Sequence, residues 1–249
     1  MNTYFGEIAA LGTAFCWSFG SVFFTISSRA IGHNTVNRLR LLLGFILLSL
    51  THYFITGYLF PHNVTATHWV WFGASGVIGF VIGDTLLLRS FVPIGPRLSM
   101  LMMSLVPVFS TLIAWLFLKE ILHYTDIIAI LTTLLGISIV ILARNSKDIN
   151  RADKTNYGIG LLCGIGGAVG QAVGLLLSKK GLNTGFSPLS GNILRIFVAV
   201  VVIYMVDRLD KRPFENNRKF YEEQKSRQYH GRWCSARTVS RGVAFSGGC

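Results

Sequence analysis

Apolar residues in this chain run in long blocks separated by short polar breaks. Seven blocks stand out, at roughly 7–28, 39–60, 69–90, 97–118, 126–143, 157–178 and 189–206. Each is near the roughly 20 helical residues that cross about 30 Å of hydrocarbon. A lipid-exposed backbone must satisfy its own hydrogen bonds, so the blocks predict helices. The short alternating strands of a membrane barrel are not seen. The expected fold class is therefore an all-α membrane protein, a polytopic helical bundle of about seven spans.

Polar positions carry a repeat. Asn37-x-x-Arg40 and Asn192-x-x-Arg195 each open an apolar block, and each follows a block that ends in Ser and basic residues, Ser27-Ser28-Arg29 and Ser178-Lys179-Lys180. An arginine at the edge of a hydrocarbon-length segment is costly, so its recurrence suggests one ancestral unit used twice. Residues 4–144 read as a complete five-span unit, and 155–206 as the first two helices of a second. The stretch from Ala143 to Asn156 is the linker. Five spans is an odd number, so the second unit enters the membrane from the opposite side, as in transporters built from inverted repeats.

Composition agrees with a membrane location: 51% apolar, 14% charged and a mean hydropathy of +0.52. The first block lacks a basic leader and is too long and aromatic for a cleaved signal. Net charge is +12, of which 10 Lys/Arg and 5 Asp/Glu fall from Asp207 onward. On a membrane protein such charge marks cytoplasmic loops and tails rather than nucleic-acid binding. Arg29, Arg38, Arg97, Arg144, Lys147, Arg151 and Lys154 fall on one side, Lys119, Lys179 and Lys180 on the other. The N-terminus is then outside a cell (plasma or inner) membrane and the tail in the cytoplasm. Cys16 and Cys163 lie in spans, Cys234 and Cys249 in the tail, with no disulfide framework, metal-ligand spacing or cofactor motif expected.

Small residues recur at helical spacing, as Gly73, Gly76, Gly79 and Gly83, and as Gly160 and Gly164 followed by Gly166, Gly170 and Gly174. Such stripes let helix backbones approach closely in lipid. They fit a tight bundle or an interface that moves.

Three runs then carry a resemblance: Gly76-Val-Ile-Gly79-Phe-Val-Ile-Gly83-Asp84-Thr85, Ile94-Gly95-Pro96-Arg97, and Leu105-Val106-Pro107-Val108 closing with Trp115-Leu-Phe-Leu-Lys119-Glu120. Over residues 4 to about 206 the chain resembles the EamA-like branch of the drug/metabolite transporter superfamily. That resemblance implies two five-helix units and movement of small metabolites or drug-like molecules without ATP hydrolysis. Three helices of the second unit are absent from the pattern, so the expectation is a truncated transporter, active or not. Residues 207–249 read as a basic disordered tail, out of frame from about Lys211 or else a genuine cytoplasmic segment. On this reading Gly170, Gly174 and Arg195 face lipid, and 155–206 packs loosely or recruits a second chain as a homodimer.

The candidate site residues are Trp17, Ser18, Arg40, Asp84, Pro107, Gln171 and Arg195. Arg40 and Arg195 either hold an anionic group such as a carboxylate in a central cavity or snorkel from their helix ends. Each lies a few residues inside its span, which favours snorkelling. Asp84 is an intramembrane acid, a coupling group or the counter-ion of Arg40; alternatively it sits near the interface, since Arg89 follows on the same helix. Pro107 predicts a kink, static or at a gate. Trp17, Ser18 and Gln171 are cavity liners by the resemblance, in which the first helix of each unit abuts the centre, or else serve plain helix packing.

No nucleophile, base and acid converge, so an enzyme is not expected. Two other readings stay open. One is a non-transporting membrane remnant. The other is a seven-helix receptor-like protein, disfavoured by the internal repeat and by the absence of a lysine in the last span. The expected partners are the lipid bilayer and a small-molecule substrate.

Overall fold

A computed structural model of the chain describes residues 3–62, 64–118, 123–142 and 151–209. Two compact units are distinguished, Met1–Val206 and Asp207–Cys249; all but the start of the second, with the expected tail, lies outside the described residues. So do Lys119, Glu120, Arg144 and Lys147. All described regular structure is helical: α1 (Thr3–Ile31), α2 (His33–Thr56), α3 (Ala66–Gly76), a π-helical segment (Val77–Gly83), α4 (Asp84–Met103), α5 (Val106–Leu118), α6 (Tyr124–Leu142), α7 (Arg151–Leu182) and α8 (Pro188–Leu209).

Five stretches are long and apolar enough to cross a membrane: Gly6–Ile31, His33–Thr56, Ala66–Met103, Asn156–Leu182 and Pro188–Arg208. Val106–Phe117 and Tyr124–Ile139 are shorter apolar helices. The longest stretch contains the expected third span and the start of the fourth, whose remainder lies in α5. Within α4, Gly95 sits at φ 80° and ψ 167° between Pro93 and Pro96, a conformation that is essentially glycine-only. The chain therefore bends at Ile94-Gly95-Pro96, where the sequence divides the third block from the fourth.

A second interruption follows at Ser104 and Leu105. Their N–H groups reach back only three residues, to Leu101 at 3.1 Å and Met102 at 3.0 Å. Helix α5 then starts at Val106, which puts Pro107 in its first turn, where an N–H has no ladder bond to lose. The expected mid-helix kink at Pro107 is thus a helix start instead.

The turns shift the spans as well. A single residue, Gly32 at φ 86°, separates α1 from α2, so α2 begins six residues ahead of the expected block. Arg40 is therefore about two turns inside its helix. The Thr65 side chain and His68 close a capping box at the start of α3, which satisfies donors a helix end leaves free.

Helix α7 is the axis of the bundle. It runs antiparallel to the α3–π–α4 run, and glycines line the seam. A Cβ on Gly174 would lie 3.0 Å from the Cα of Gly79, and one on Gly170 2.9 Å from the Cα of Gly83. Gly160 and Gly164 receive Pro93, Ile94 and Met102 in the same way. Ser75 Oγ donates to the Gly174 carbonyl at 2.5 Å. The expectation that Gly170, Gly174 and Arg195 face lipid is overturned. They are buried against the first five-span segment, because side-chain-free surfaces on both helices let the backbones meet. The expected loose packing of 155–206 fails for the same reason, with Ala168, Ala172, Ile193 and Leu194 wholly buried.

Helices α2 and α8 also run antiparallel. Leu41 packs with Ala199 and Ile203, Phe45 lies 5.7 Å from Phe197 between ring centroids, and His52 Nε2 meets Ser190 Oγ at 3.2 Å. Phe72, fully buried, is wedged between Gly181 and Gly191. By contrast the first half of α1 is exposed along its length, and α6 buries Ile137 against the cluster of Leu98 and Met102. Both suit contact with lipid.

Candidate functional site

The π-helical segment Val77–Gly83 ends at Asp84, whose N–H reaches back five residues to the Gly79 carbonyl. Where such a segment returns to α-helix, carbonyls share or lose their ladder donors, and π-bulges often sit at functional sites. Two side chains from other helices meet those carbonyls. Asn37 Nδ2 donates to Phe80 at 3.0 Å, and Gln171 Nε2 to Gly79 at 3.3 Å.

The same two amides extend to the charged groups. Asn37 Nδ2 also donates to Thr85 Oγ1 at 2.9 Å, while its Oδ1 accepts from Arg40 Nη2 at 3.3 Å. Arg40 Nη2 forms an ion pair with Asp84 Oδ2. Gln171 Nε2 donates to Asp84 Oδ1 at 2.5 Å. One connected chain of polar contacts thus runs Asn37–Arg40–Asp84–Gln171, across α2, α4 and α7. A half-satisfied buried network would be costly, and this one gives each carboxylate oxygen a donor.

Arg195 of α8 joins from the other side. Its guanidinium carbon lies 4.6 Å from the centroid of the Phe80 ring. A Cβ on Gly79 would be 3.5 Å from its Nη2, so only the absence of a side chain at Gly79 leaves that space. Its own carbonyl presses on Gly76, where any Cβ would collide. Arg40 similarly lies 5.8 Å from the Phe24 ring.

Of the seven residues singled out by sequence, four come together: Arg40, Asp84, Gln171 and Arg195. Snorkelling, the favoured alternative for the arginines, is overturned. Arg195 is 8% exposed and the Arg40 side chain 21%, because both helices start early enough to carry them into the bundle. Asp84 is 2% exposed, packed inside the bundle on the Ala66–Met103 stretch ahead of its bend at Gly95. Trp17 and Ser18 stand apart on the exposed half of α1, where Ser18 Oγ donates to its own helix at Ala14 and Trp17 meets Phe24 edge-on. Pro107 is exposed, and its carbonyl accepts from Ser110 and Thr111.

Two participants were not singled out. Asn37 is 0% exposed and holds three partners; its place in the repeated motif was the available signal. Phe80 and the carbonyls of the π segment had none, since that geometry leaves no mark in residue type.

The fold and this cluster define a multi-pass integral membrane protein with a charged centre. The family model of the EamA-like transporter family matches residues 4–142, more than half of the chain, and the chain belongs to that family. It is a membrane transporter of the drug/metabolite type, a kind of protein that is not an enzyme. No curated protein and no solved structure matches it.

Proposed function

We propose that the chain is a secondary transporter of small metabolites or drug-like molecules in the cell membrane, and that Arg40, Asp84, Gln171 and Arg195 form its substrate or coupling site. One observation carries this reading. Charged and amide side chains from α2, α4, α7 and α8 converge at a π-helical segment buried among apolar helices. Intramembrane ionisable groups are expensive and mark transport pathways, and secondary transporters place their sites where two repeats meet. The antiparallel course of α2 and α8, each with its Asn-x-x-Arg motif, supports an inverted pair.

The test is expression in a sensitive host under amino-acid or drug challenge, with efflux measured directly. The wild-type chain should change tolerance and efflux for at least one compound, and Asp84→Asn at equal membrane abundance should abolish the change. If neither chain differs from an empty vector, the reading is lost.

A further inference from the structure

Among the described residues, the guanidinium groups of Arg40 and Arg195 and the carboxylate of Asp84 share the core of the bundle, and the sharing is unequal. Arg40 takes Asp84 Oδ2, and Gln171 takes Asp84 Oδ1, so both oxygens are engaged. Arg195, more than nine-tenths buried, makes no ion pair among the described residues; its Nε, like that of Arg40, is buried without a hydrogen-bond partner. A guanidinium is not deprotonated inside proteins. A buried charge without an opposite charge costs far more than a paired one, and the ring face of Phe80 offsets only part of that cost.

The Arg195 guanidinium lies over the Phe80 ring, its carbon 4.6 Å from the centroid. The N–H groups of a guanidinium match a planar oxyanion in a two-point fork, and the Nε–H of Arg195 is without a partner. Arg40 holds the same place in the first Asn-x-x-Arg motif, and there Asp84 supplies the carboxylate. The charge of the same Asp84 reaches Arg195, but among the described residues no acid forms an ion pair with it.

We infer that Arg195 is the seat of one negative charge brought by the transported molecule, and that this molecule is an organic monoanion whose carboxylate stands to Arg195 as Asp84 stands to Arg40. Two cations against one anion leave a single positive charge, which a monoanion balances. The inference rests on the transporter reading above and adds the class of substrate to it.

Thermal unfolding of the purified full chain in lipid nanodiscs tests it, with sodium benzoate, benzamide and sodium chloride as probes at matched ionic strength. Benzoate at roughly ten times its dissociation constant should raise the unfolding midpoint by about 3–6 °C. Benzamide and chloride should not, and Arg195→Gln should lose the benzoate shift. Arg195→Lys, which keeps the charge but not the fork, should retain a smaller one, and it serves if the glutamine variant fails to fold. Equal shifts with benzamide or with chloride, no benzoate shift, or an undiminished shift in both variants would each overturn the inference. Asp84-dependent efflux of a neutral compound without a benzoate shift would leave the transporter reading standing and remove only the anion seat. A benzoate shift in a chain that moves no solute would do the reverse.

Discussion

Gly79 and Gly174 meet backbone to backbone, so close that a Cβ on Gly174 would lie 3.0 Å from the Cα of Gly79. The contact brings α7 against the π segment and so places Gln171 within reach of Asp84. The packing seam and the polar cluster are therefore one construction.

Substituting Gly174 or Gly170 by Val should destabilise the bundle by about 1–3 kcal/mol, because neither backbone can yield freely. Gly136→Val on α6, where a Cβ meets nothing within 4 Å, is the matched control. Thermal midpoints in nanodiscs should fall for the first two and hold for the third. Equal midpoints across all three would contradict the seam.

Asp84→Asn leaves the half-buried Arg40 beside a neutral amide. Breaking such a pair from one side costs on the order of 3–5 kcal/mol. Arg40→Gln strands Asp84 to a similar extent. The double variant should be clearly more stable than the sum of the two losses predicts, since it leaves no lone charge of that pair. A double-mutant cycle on unfolding midpoints measures this, and strict additivity would show that the two groups do not interact.

His68 fastens one end of the bundle. Its Nδ1 accepts from the Thr65 backbone N–H at 3.2 Å, and its Nε2 meets Thr184 Oγ1 at 2.7 Å in the turn between α7 and α8. Removing it as His68→Ala should cost about 1 kcal/mol or more, from the lost cap and the lost cross-link. His68→Gln, which offers an acceptor and a donor in similar places and is a regular capping-box residue, should recover most of it. Proteolysis or hydrogen exchange in 64–70 would report the difference; an alanine variant as protected as wild type would argue against the fastening.

Gly95→Ala places a Cβ on a backbone at φ 80°, where the surrounding space is open but the conformation is not. The expected cost is about 1–3 kcal/mol. A larger residue here should be no worse than alanine, because strain rather than crowding sets the penalty. A graded loss with side-chain size, read from unfolding midpoints, would point to crowding.

Hydropathy located the spans well because the cost of exposing polar backbone to lipid depends on length and composition alone. It said less about which faces meet. In a membrane helix both the lipid-facing and the protein-facing sides are apolar, so periodicity does not separate them as it does in water. Nothing in the apolar pattern of α1 therefore opposed reading Trp17 and Ser18 as liners by the resemblance, although α1 leaves them exposed. The Asn-x-x-Arg motif and Asp84 were legible because polar groups are scarce in such segments. The turn at Gly32 was not, since a lone glycine seldom ends one helix and starts the next; the error in the start of α2 then carried into the reading of Arg40. Both glycine stripes were legible, but that Gly170 and Gly174 meet Gly83 and Gly79 becomes apparent only once α7 is known to lie antiparallel to the α3–π–α4 run.

The π turn before Asp84 holds one amino acid more than an α-helix of the same rise would need. Each residue of an α-helix advances the chain by about 100°. Deleting one position between Val77 and Gly83 would let the ladder close in the ordinary way, and would swing the carboxylate a quarter-turn and more around its axis, away from Arg40. The heading of that acid is thus written in a residue count, and a family member lacking the extra position would need its acid one place along to aim at the same target.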